Sequence, residues 1–503
     1  MPPSFRPIHT RRATRILLAA AALLAAPAAL RAQDDAHGAH SHAPVLGSVT
    51  FANSGAAAAQ EPFLRGIALT HSFEYNEAVR AFREAMAADS LFALPYWAEA
   101  LTYSHVVWGE ENLEGGRAAL ARLAPTPEAR IAKARTPGER AFAGAVEALF
   151  AEGDQVTRVR GFADSMRAWS TRMPDDPEAH AFTALATMVQ SFVTRDEALA
   201  AEISAEAAMH AQRVLDENPR HPGAAHYMIH ANDSPAMAQQ GLAAARAYAA
   251  IAPDAQHALH MPSHIFLPLG MWDDMLASNQ RSWAVARQEA IAAGAPGWYT
   301  DFHSLNWMQY AYLQQGRWAE ARALVDTARA LTAEPIRNPA SRHVDASYAL
   351  EQLAFRYATE TGRWDVWPAD SVGMRWNDPA LSQRARGMSS ASAYQRAVAA
   401  MRMRGDTMPA VATARAFREA AAAASPPNAS LERFAAQLEA LVMQARGDEA
   451  GYVAALQAQL PANRVPRRRS MTPQTTLVIS EELGAALLQA GRAAEAVAAY
   501  EQA

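Results

Sequence analysis

The chain has 503 residues, of which 50% are hydrophobic and 19% charged, with a formal net charge of −5 and no cysteine. This length suffices for one large repeat array or for two or three compact domains. The acidic balance, without a basic stripe interleaved with aromatic residues, argues against nucleic acid as a partner. The lack of cysteine excludes structural disulfides, thiolate metal sites and a lipid-anchored lipoprotein.

The N-terminus predicts a secretion signal. Four arginines, the last of them Arg15, precede an apolar run over residues 16–30, ILLAAAALLAAPAAL. The run is too short to span a bilayer comfortably and small residues follow it, which is typical of a cleaved signal peptide covering residues 1–32. We therefore expect a periplasmic or secreted bacterial protein without a membrane anchor after cleavage. Residues 33–60 lack periodicity and predict a disordered leader.

Residues 61–365 predict a series of helical hairpins. Near their start, the run FLRGIALTHSFEYNEAVRAFREAMAADS spaces small and aromatic residues as two interlocking helices do. Gly270 begins a Gly-Met-Trp motif, and Gly-Arg-Trp follows 46 residues later at Gly316 and again 46 later at Gly362. A glycine between two helices of a hairpin permits a left-handed turn there.

The same spacing continues towards the C-terminus. Gly405, Gly447 and Gly491 follow at intervals of 43, 42 and 44 residues. Residues 366–503 therefore predict further helical repeats.

Histidines are concentrated in the centre of the chain. Six of the sixteen lie between His221 and His264, and His226 and His230 recur 34 residues later as His260 and His264. Side chains four residues apart share one face of a helix, so each pair presents two imidazoles on one side. His257, three residues before His260, falls within the same arc. Two successive repeats thus carry histidine at the same two positions.

These segments resemble a known group of proteins. HPGAAHYMIH and HALHMPSHIF, with FEYNEAVRAFREA nearer the start, are similar to secreted bacterial tetratricopeptide-repeat (TPR) proteins that are largely uncharacterised. The resemblance covers about residues 61–365 and implies an all-α fold, a right-handed α-solenoid of TPR-like hairpins, with its histidine core over residues 219–318. It also implies that the paired histidines line the concave groove, where the family binds ligands. It implies no established activity.

Several imidazoles converging from adjacent helices are the ligands that zinc and copper favour. Aligning Gly316 with Gly270 adds a third helix, because His303 then falls on His257, while Asn306 and Tyr310 fall on the paired positions. The predicted metal ligands are His226, His230, His257, His260, His264 and His303. Two groups of three, His221/His226/His230 and His257/His260/His264, are superficially similar to paired copper sites.

Three neighbouring residues bear on this site. Asp233 lies one helical turn beyond His230 and is expected to act as an oxygen ligand or as a general base. His221, just before a proline, is expected outside the helix, where it orients another imidazole by a hydrogen bond. Pro262 either kinks the second histidine helix or begins its first turn.

Two functions from different classes follow from this pattern. The first is a solenoid whose histidine-lined groove binds a transition metal, zinc or copper, with or without enzymatic activity. The second is a non-catalytic scaffold whose groove binds a peptide or a partner protein. Histidines at equivalent positions of successive repeats can also serve to pack the helices together, or form an acid–base cluster without metal. Outside the core, His71, His105, His180 and His210 are expected to be structural.

Overall fold

The computed structural model describes residues 44–108, 110–292, 294–296, 299–333, 342–368, 376–377, 383–424, 428–460, 472–473 and 476–502. The predicted signal peptide and residues 33–43 of the predicted leader lie outside these ranges.

Helices account for nearly all regular structure in the described residues. The N-terminal helices are α1 (Ala57–His71), α2 (Tyr75–Ala88), α3 (Leu94–Leu101), α4 (Leu113–Ala121), α5 (Pro127–Ile131), α6 (Pro137–Leu149), α7 (Gln155–Arg172), α8 (Pro177–Val193) and α9 (Glu197–Glu217). Between α3 and α4, β1 (Ser104–His105) pairs antiparallel with β2 (Glu110–Glu111) across a 3₁₀ turn, Val106–Trp108.

The helices of the histidine region follow directly. They are α10 (Pro222–Ala231), α11 (Ala238–Ile251), α12 (Gln256–His260), α13 (Ser263–Phe266), α14 (Trp272–Ala292), α15 (Phe302–Gln314) and α16 (Trp318–Thr332). The remaining helices are α17 (Arg342–Thr361), α18 (Gln383–Arg404), α19 (Met408–Ala423), α20 (Ala429–Ala445), α21 (Glu449–Gln459), α22 (Ile479–Gln489) and α23 (Ala493–Tyr500), with a 3₁₀ turn at Trp364–Val366.

The glycine punctuation is confirmed. Gly270, Gly316 and Gly362 have φ of +66°, +67° and +71°, the left-handed conformation in which a side chain is strained. The C-terminal glycines at 405, 447 and 491 have φ between +66° and +80°. Each glycine follows one helix and immediately precedes another element, so the spacing of these residues marks successive hairpins.

Helix starts follow the local sequence. Thr136 and Glu139 form a capping box, in which the threonine hydroxyl accepts from the Glu139 backbone and the Glu139 carboxylate accepts from the Thr136 backbone. Asp176 caps α8 by accepting from the backbone of Glu178 and Ala179. These caps satisfy backbone N–H groups that have no partner within the helix.

A continuous apolar core joins the helices from α1 to α17. Trp97, Trp169 and Trp307 are fully buried within it, together with Phe63 and Phe82. A second cluster begins at Phe355 and continues through α23. Among the described residues, no helix combines the length and apolarity needed to cross a membrane.

The second half of the predicted leader differs from the expectation. Residues 45–56 have no regular secondary structure but pack against the helices, with Leu46 and Phe51 each only 6% exposed. The Thr50 backbone donates to Glu178 at 3.1 Å, and helix α1 already begins at Ala57. Helical periodicity did not reveal this segment because an extended chain buries isolated side chains and satisfies its backbone with partners remote in sequence.

Candidate metal centre

Four short helices carry the six predicted ligands. His226 and His230 lie on α10, where His221 caps the helix start through its ring and Pro222 occupies the first turn. The sequence predicts a kink or a helix start at Pro262. In the structure the helix breaks there, since α12 ends at His260 and α13 begins at Ser263. His303 lies in the first turn of α15.

His226, His230 and His257 form a first trio. One ring nitrogen from each lies within 4.8 Å of the others. The Nε2 atoms of His226 and His257 are 3.2 Å apart, and His226 is fully buried. Helices α10 and α12, from successive repeats, thus bring three imidazoles to one point.

His260, His264 and His303 form a second trio. The Nε2 atom of His260 is 3.3 Å from Nε2 of His264 and 3.1 Å from Nε2 of His303. His303 is exposed, whereas His260 is 2% exposed and His264 9%. The structure therefore brings all six predicted ligands together, but in groups that differ from those read from the sequence. His257 joins the first trio, and His221 belongs to neither.

The other ring nitrogen of three trio histidines is held by an acceptor. Nδ1 of His226 donates to the His71 carbonyl at 2.7 Å. Nδ1 of His260 donates to Oδ1 of Asn279 at 2.8 Å, and the Asn279 amide nitrogen donates to Met275, which fixes the amide orientation. Because Nδ1 carries the proton, Nε2 of each neutral ring presents a bare lone pair, as a metal ligand does.

Asp233 supplies the third of these acceptors. Its Oδ2 accepts from Nδ1 of His264 at 2.7 Å, and both side chains are buried. A carboxylate behind a histidine fixes the ring orientation and makes Nε2 a stronger donor to a metal ion. The geometry thus makes Asp233 a positioning residue for His264, a third role beside the oxygen ligand and the general base that the sequence suggested.

Burial keeps four of the trio imidazoles neutral. Loss of solvation lowers the pKa of His226 and of His260 to about 3. The same cause lowers the pKa of His230 and of His257 well below the ordinary value. Neutral imidazole is the form that binds transition metals, so these four rings are ready to act as ligands at neutral pH.

His230 has an unusual environment. Both of its ring nitrogens are buried, and neither has a hydrogen-bond partner among the described residues. An unsatisfied buried polar group costs about 1–3 kcal/mol, and native proteins rarely leave one. A metal ion bound by the first trio would satisfy one nitrogen of this ring.

Phe73 packs against all three rings of the first trio. Its ring centroid lies 4.3 Å from that of His226, 5.9 Å from His230 and 5.6 Å from His257. Its φ of +58° is the only positive value at a non-glycine residue in the described chain. The left-handed turn that ends α1 usually carries glycine, so a buried phenylalanine there is held in a strained conformation by its packing.

Trp307 packs against all three rings of the second trio. Its ring centroid lies 5.0 Å from that of His260, 4.6 Å from that of His264 and 5.7 Å from that of His303, and the side chain is fully buried. An aromatic wall of this kind limits ring rotation and excludes water from the inner side of the trio.

A buried cluster of His71, Glu178 and His221 lies behind the first trio. Glu178 Oε2 accepts from His71 at 3.0 Å, and Oε1 accepts from His221 at 3.2 Å. Burial alone would raise the pKa of Glu178, but the charge of His221 and the hydrogen bonds from both histidines outweigh it and lower the pKa to about 2. Three ligand atoms of this cluster lie close together, but they already bond to one another, so the cluster is explained without an ion.

This cluster positions His226, since the His71 carbonyl accepts from the His226 ring. The sequence predicts a structural role for His71 and gives no sign that Asn279 would orient a ligand. No signal in the sequence connects His71 with His226, because the two residues are 155 positions apart. The sequence predicts that His221 orients another imidazole. In the structure His221 bonds to Glu178, which accepts from His71, so His221 is linked to the His226 ring through these two residues.

The third helix contributes less than its alignment predicts. Asn306 bonds to Arg356, and the Arg356 guanidinium lies 5.7 Å from the ring centroid of Tyr310. Both residues thus interact with Arg356, and α15 adds His303 to the second trio. The difference arises because α15 packs against α17, and the helix face that carries Asn306 and Tyr310 turns towards Arg356 on that helix.

A groove of 1210 Å³ lies beside the first trio. Glu74, Tyr75, His105, Gln256 and Asp301 are among its lining residues. None of the trio histidines is among the described residues that line it, so the trios lie between helices and do not form the wall of this groove. Glu74 connects the two features, because its carboxylate accepts from the backbone of the first-trio residue His257 at 2.9 Å.

The chain is similar to several solved structures at low sequence identity. The chain is similar to human IFIT1, solved as a dimer with m7Gppp-AAAA, at 12% identity and a TM-score of 0.37 over 90% of each chain. It is similar to yeast Tom70 at 11% identity and a TM-score of 0.33, over 88% of this chain and 91% of that one. The TPR domain of P58(IPK) matches at 12% identity and a TM-score of 0.19, over 87% and 99%.

No family model and no curated protein matches the chain. Its consecutive helices, packed as hairpins with left-handed glycine turns, define its class as an all-α, TPR-like helical-repeat protein, an α-solenoid. The predicted fold class is confirmed.

Proposed function

We propose that this protein binds a transition metal, zinc or copper, through its two histidine trios after export from the bacterial cytoplasm. The contact between His260 and His264 carries the proposal. Both rings donate through Nδ1 to fixed acceptors, yet their Nε2 atoms face each other at 3.3 Å. Two neutral rings held in this way have no hydrogen between them, so a cation is needed to make the contact favourable.

A metal ion is the cation that suits this site best. Burial lowers the pKa of His260 to about 3, which opposes protonation of that ring at neutral pH. Imidazole nitrogens bind zinc, copper, nickel and iron at about 2 Å, and a trio provides three such donors. A proton on His264 is the competing explanation, and it corresponds to an acid–base cluster without metal.

The number of ligands favours a reactive ion. Structural zinc is usually held by four protein ligands, whereas three protein ligands leave a position open for water or a substrate. His303, the exposed member of the second trio, provides the accessible side. An open coordination position of this kind favours a metal-dependent enzyme over a purely structural metal site.

Elemental analysis of the natively exported mature chain, residues 33–503, tests the proposal. We expect one or two equivalents of zinc or copper, and their loss in a His226→Ala/His260→Ala variant with unchanged helical circular dichroism. His210→Ala is the matched control, because His210 lies outside both trios, where its ring nitrogen is 2.7 Å from that of His180. Wild-type protein that contains no metal and takes up neither zinc nor copper would contradict the proposal and favour the acid–base cluster.

The 1210 Å³ groove supports a second candidate, a scaffold that binds an extended peptide. Its wall offers aromatic rings at Tyr75 and Tyr103, and carboxylates at Glu74 and Asp301. Rings beside hydrogen-bonding groups suit a peptide that presents both backbone and side chains. Screening a random peptide library against wild-type protein and a Tyr103→Ala variant separates the candidates. Binders that lose affinity in the variant, from protein without metal, would favour the scaffold.

A further inference from the structure

The two trios lie almost as close to each other as the rings within each trio. Between the trios, the ring centroids of His230 and His264 are 6.1 Å apart, and those of His257 and His260 are 6.3 Å apart. Within the second trio, the centroids of His260 and His264 are 5.2 Å apart. The short helix α12 links the two trios directly, since His257 belongs to the first trio and His260 to the second.

His230 lies where the trios meet. Its nearest histidine rings are His226 of its own trio, at 4.8 Å, and His264 of the other, at 6.1 Å. Both of its nitrogens are buried without a hydrogen-bond partner among the described residues, whereas Asp233 holds the His264 ring by a hydrogen bond. Its polar atoms are available to an ion bound between the helices.

We infer that the two trios hold two metal ions as one paired centre, which takes a small anionic oxygen or nitrogen donor as a bridging ligand. The inference rests on the proposed metal binding. Ions about 2 Å from the nitrogens of two adjacent trios lie close enough to share one ligand, as in two-metal sites where the ions are about 3.5–4 Å apart.

The charge of the site favours an anion as that ligand. Two divalent ions would be held by six imidazoles, which contribute no negative charge in their neutral form. Asp233 is the one carboxylate bonded to a trio ring in the described residues. Glu74 accepts from the backbone of His257 and of Gln256, and among the described residues it bonds to no trio ring. A paired centre of this composition carries excess positive charge in a largely buried place, which hydroxide, a carboxylate or azide would reduce.

Copper(II) is the probe for this pairing, because two copper(II) ions that share a bridge couple magnetically and lose most of their paramagnetic resonance signal. The full mature chain, stripped with a chelator and reloaded, is analysed for copper per chain and for integrated spin per copper. We expect two coppers per wild-type chain and far less than one spin per copper. A His303→Ala variant, which changes an exposed side chain, is expected to show a full spin on each copper that it retains.

Three results decide the matter. Two coppers with two full, uncoupled spins, or a single copper per chain, would overturn the paired centre and leave metal binding in place. No retained copper would overturn the paired copper centre, and protein that then takes up no zinc either would overturn both proposals. Titration with azide adds a second measurement, because one azide per two coppers is expected at saturation, and one azide per copper would contradict a shared ligand. His210→Ala protein serves as the control that should match the wild type throughout.

Discussion

Asn279 accepts a hydrogen bond from His260, with 2.8 Å between Oδ1 and Nδ1, and so directs the other nitrogen of that ring towards His264 and His303. Asn279 itself is fully buried on α14 and donates to Ser263 and to the Met275 carbonyl. The Asn279 side chain on α14 thus bonds to residues of both α12 and α13. It sets the geometry of the second trio without contacting a metal.

Replacing Asn279 by leucine removes this acceptor and is expected to weaken zinc binding by about 10–100-fold, because the His260 ring loses its orientation. Asn279→Asp keeps an acceptor oxygen and is expected to retain affinity. The measurement is competition with a chelating dye. Gln212→Leu, at an exposed amide that bonds to Asp216, is the control. Equal affinities in all four proteins would show that Asn279 has no positioning role.

Glu178 is expected to stabilise the fold as well as the first trio. It is fully buried and accepts from His71, His221 and the Thr50 backbone. Glu178→Leu leaves those donors without partners and is expected to lower the free energy of unfolding by roughly 3–5 kcal/mol.

Urea denaturation of metal-free protein measures this loss. Glu152→Ala is the control, since Glu152 is 94% exposed and forms an ion pair with Arg117 at the surface. Removing this carboxylate should change the free energy of unfolding by less than about 1 kcal/mol. A Glu178→Leu protein as stable as the control variant would show that the buried cluster contributes nothing net.

Phe73 provides a test of backbone strain. Removing its ring is expected to cost about 3–5 kcal/mol through lost packing against the first trio. Because φ is +58°, glycine fits this position better than alanine does, and Phe73→Gly should be more stable than Phe73→Ala by about 1 kcal/mol. Thermal unfolding of the two variants compares them directly. The reverse order would show that the left-handed turn is not maintained.

The stability of the metal-free protein should depend on pH through its buried histidines. Burial lowers the pKa of His226 to about 3 from 6.5. Between these values the unfolded chain binds more protons, so stability falls as the pH drops from 6.5 towards 3, by up to about 1.4 kcal/mol per pH unit. Glu74 and Glu351, each with a pKa raised to about 7 by burial, act in the opposite direction, and their contribution is lost as the pH rises from 4.5 to 7.

Comparing the wild type with His226→Leu isolates the histidine, because both proteins retain the two glutamates. The urea midpoint of the variant should fall less steeply between pH 6.5 and 4. Parallel curves would mean that the His226 ring titrates alike in the folded and unfolded chains.

The sequence by itself determined the repeat class and the identity of the candidate ligands. A glycine in the turn between two helices of a hairpin is a local requirement of the backbone, so the positions from Gly270 to Gly491 could be read directly. Histidines four apart share a helical face for the same local reason, and the 34-residue repeat of His226 and His230 places equivalent rings on successive helices.

Only the tertiary structure decided how those rings combine. His257 and His260 share the short helix α12 but belong to different trios, and the packing of α15 brings in His303, whereas Asn306 and Tyr310 interact with Arg356. The acceptors that orient the rings come from distant positions, as His71 does for His226. Periodicity fixes where a side chain stands on its own helix, whereas helix packing and hydrogen bonds between remote residues fix which nitrogens meet.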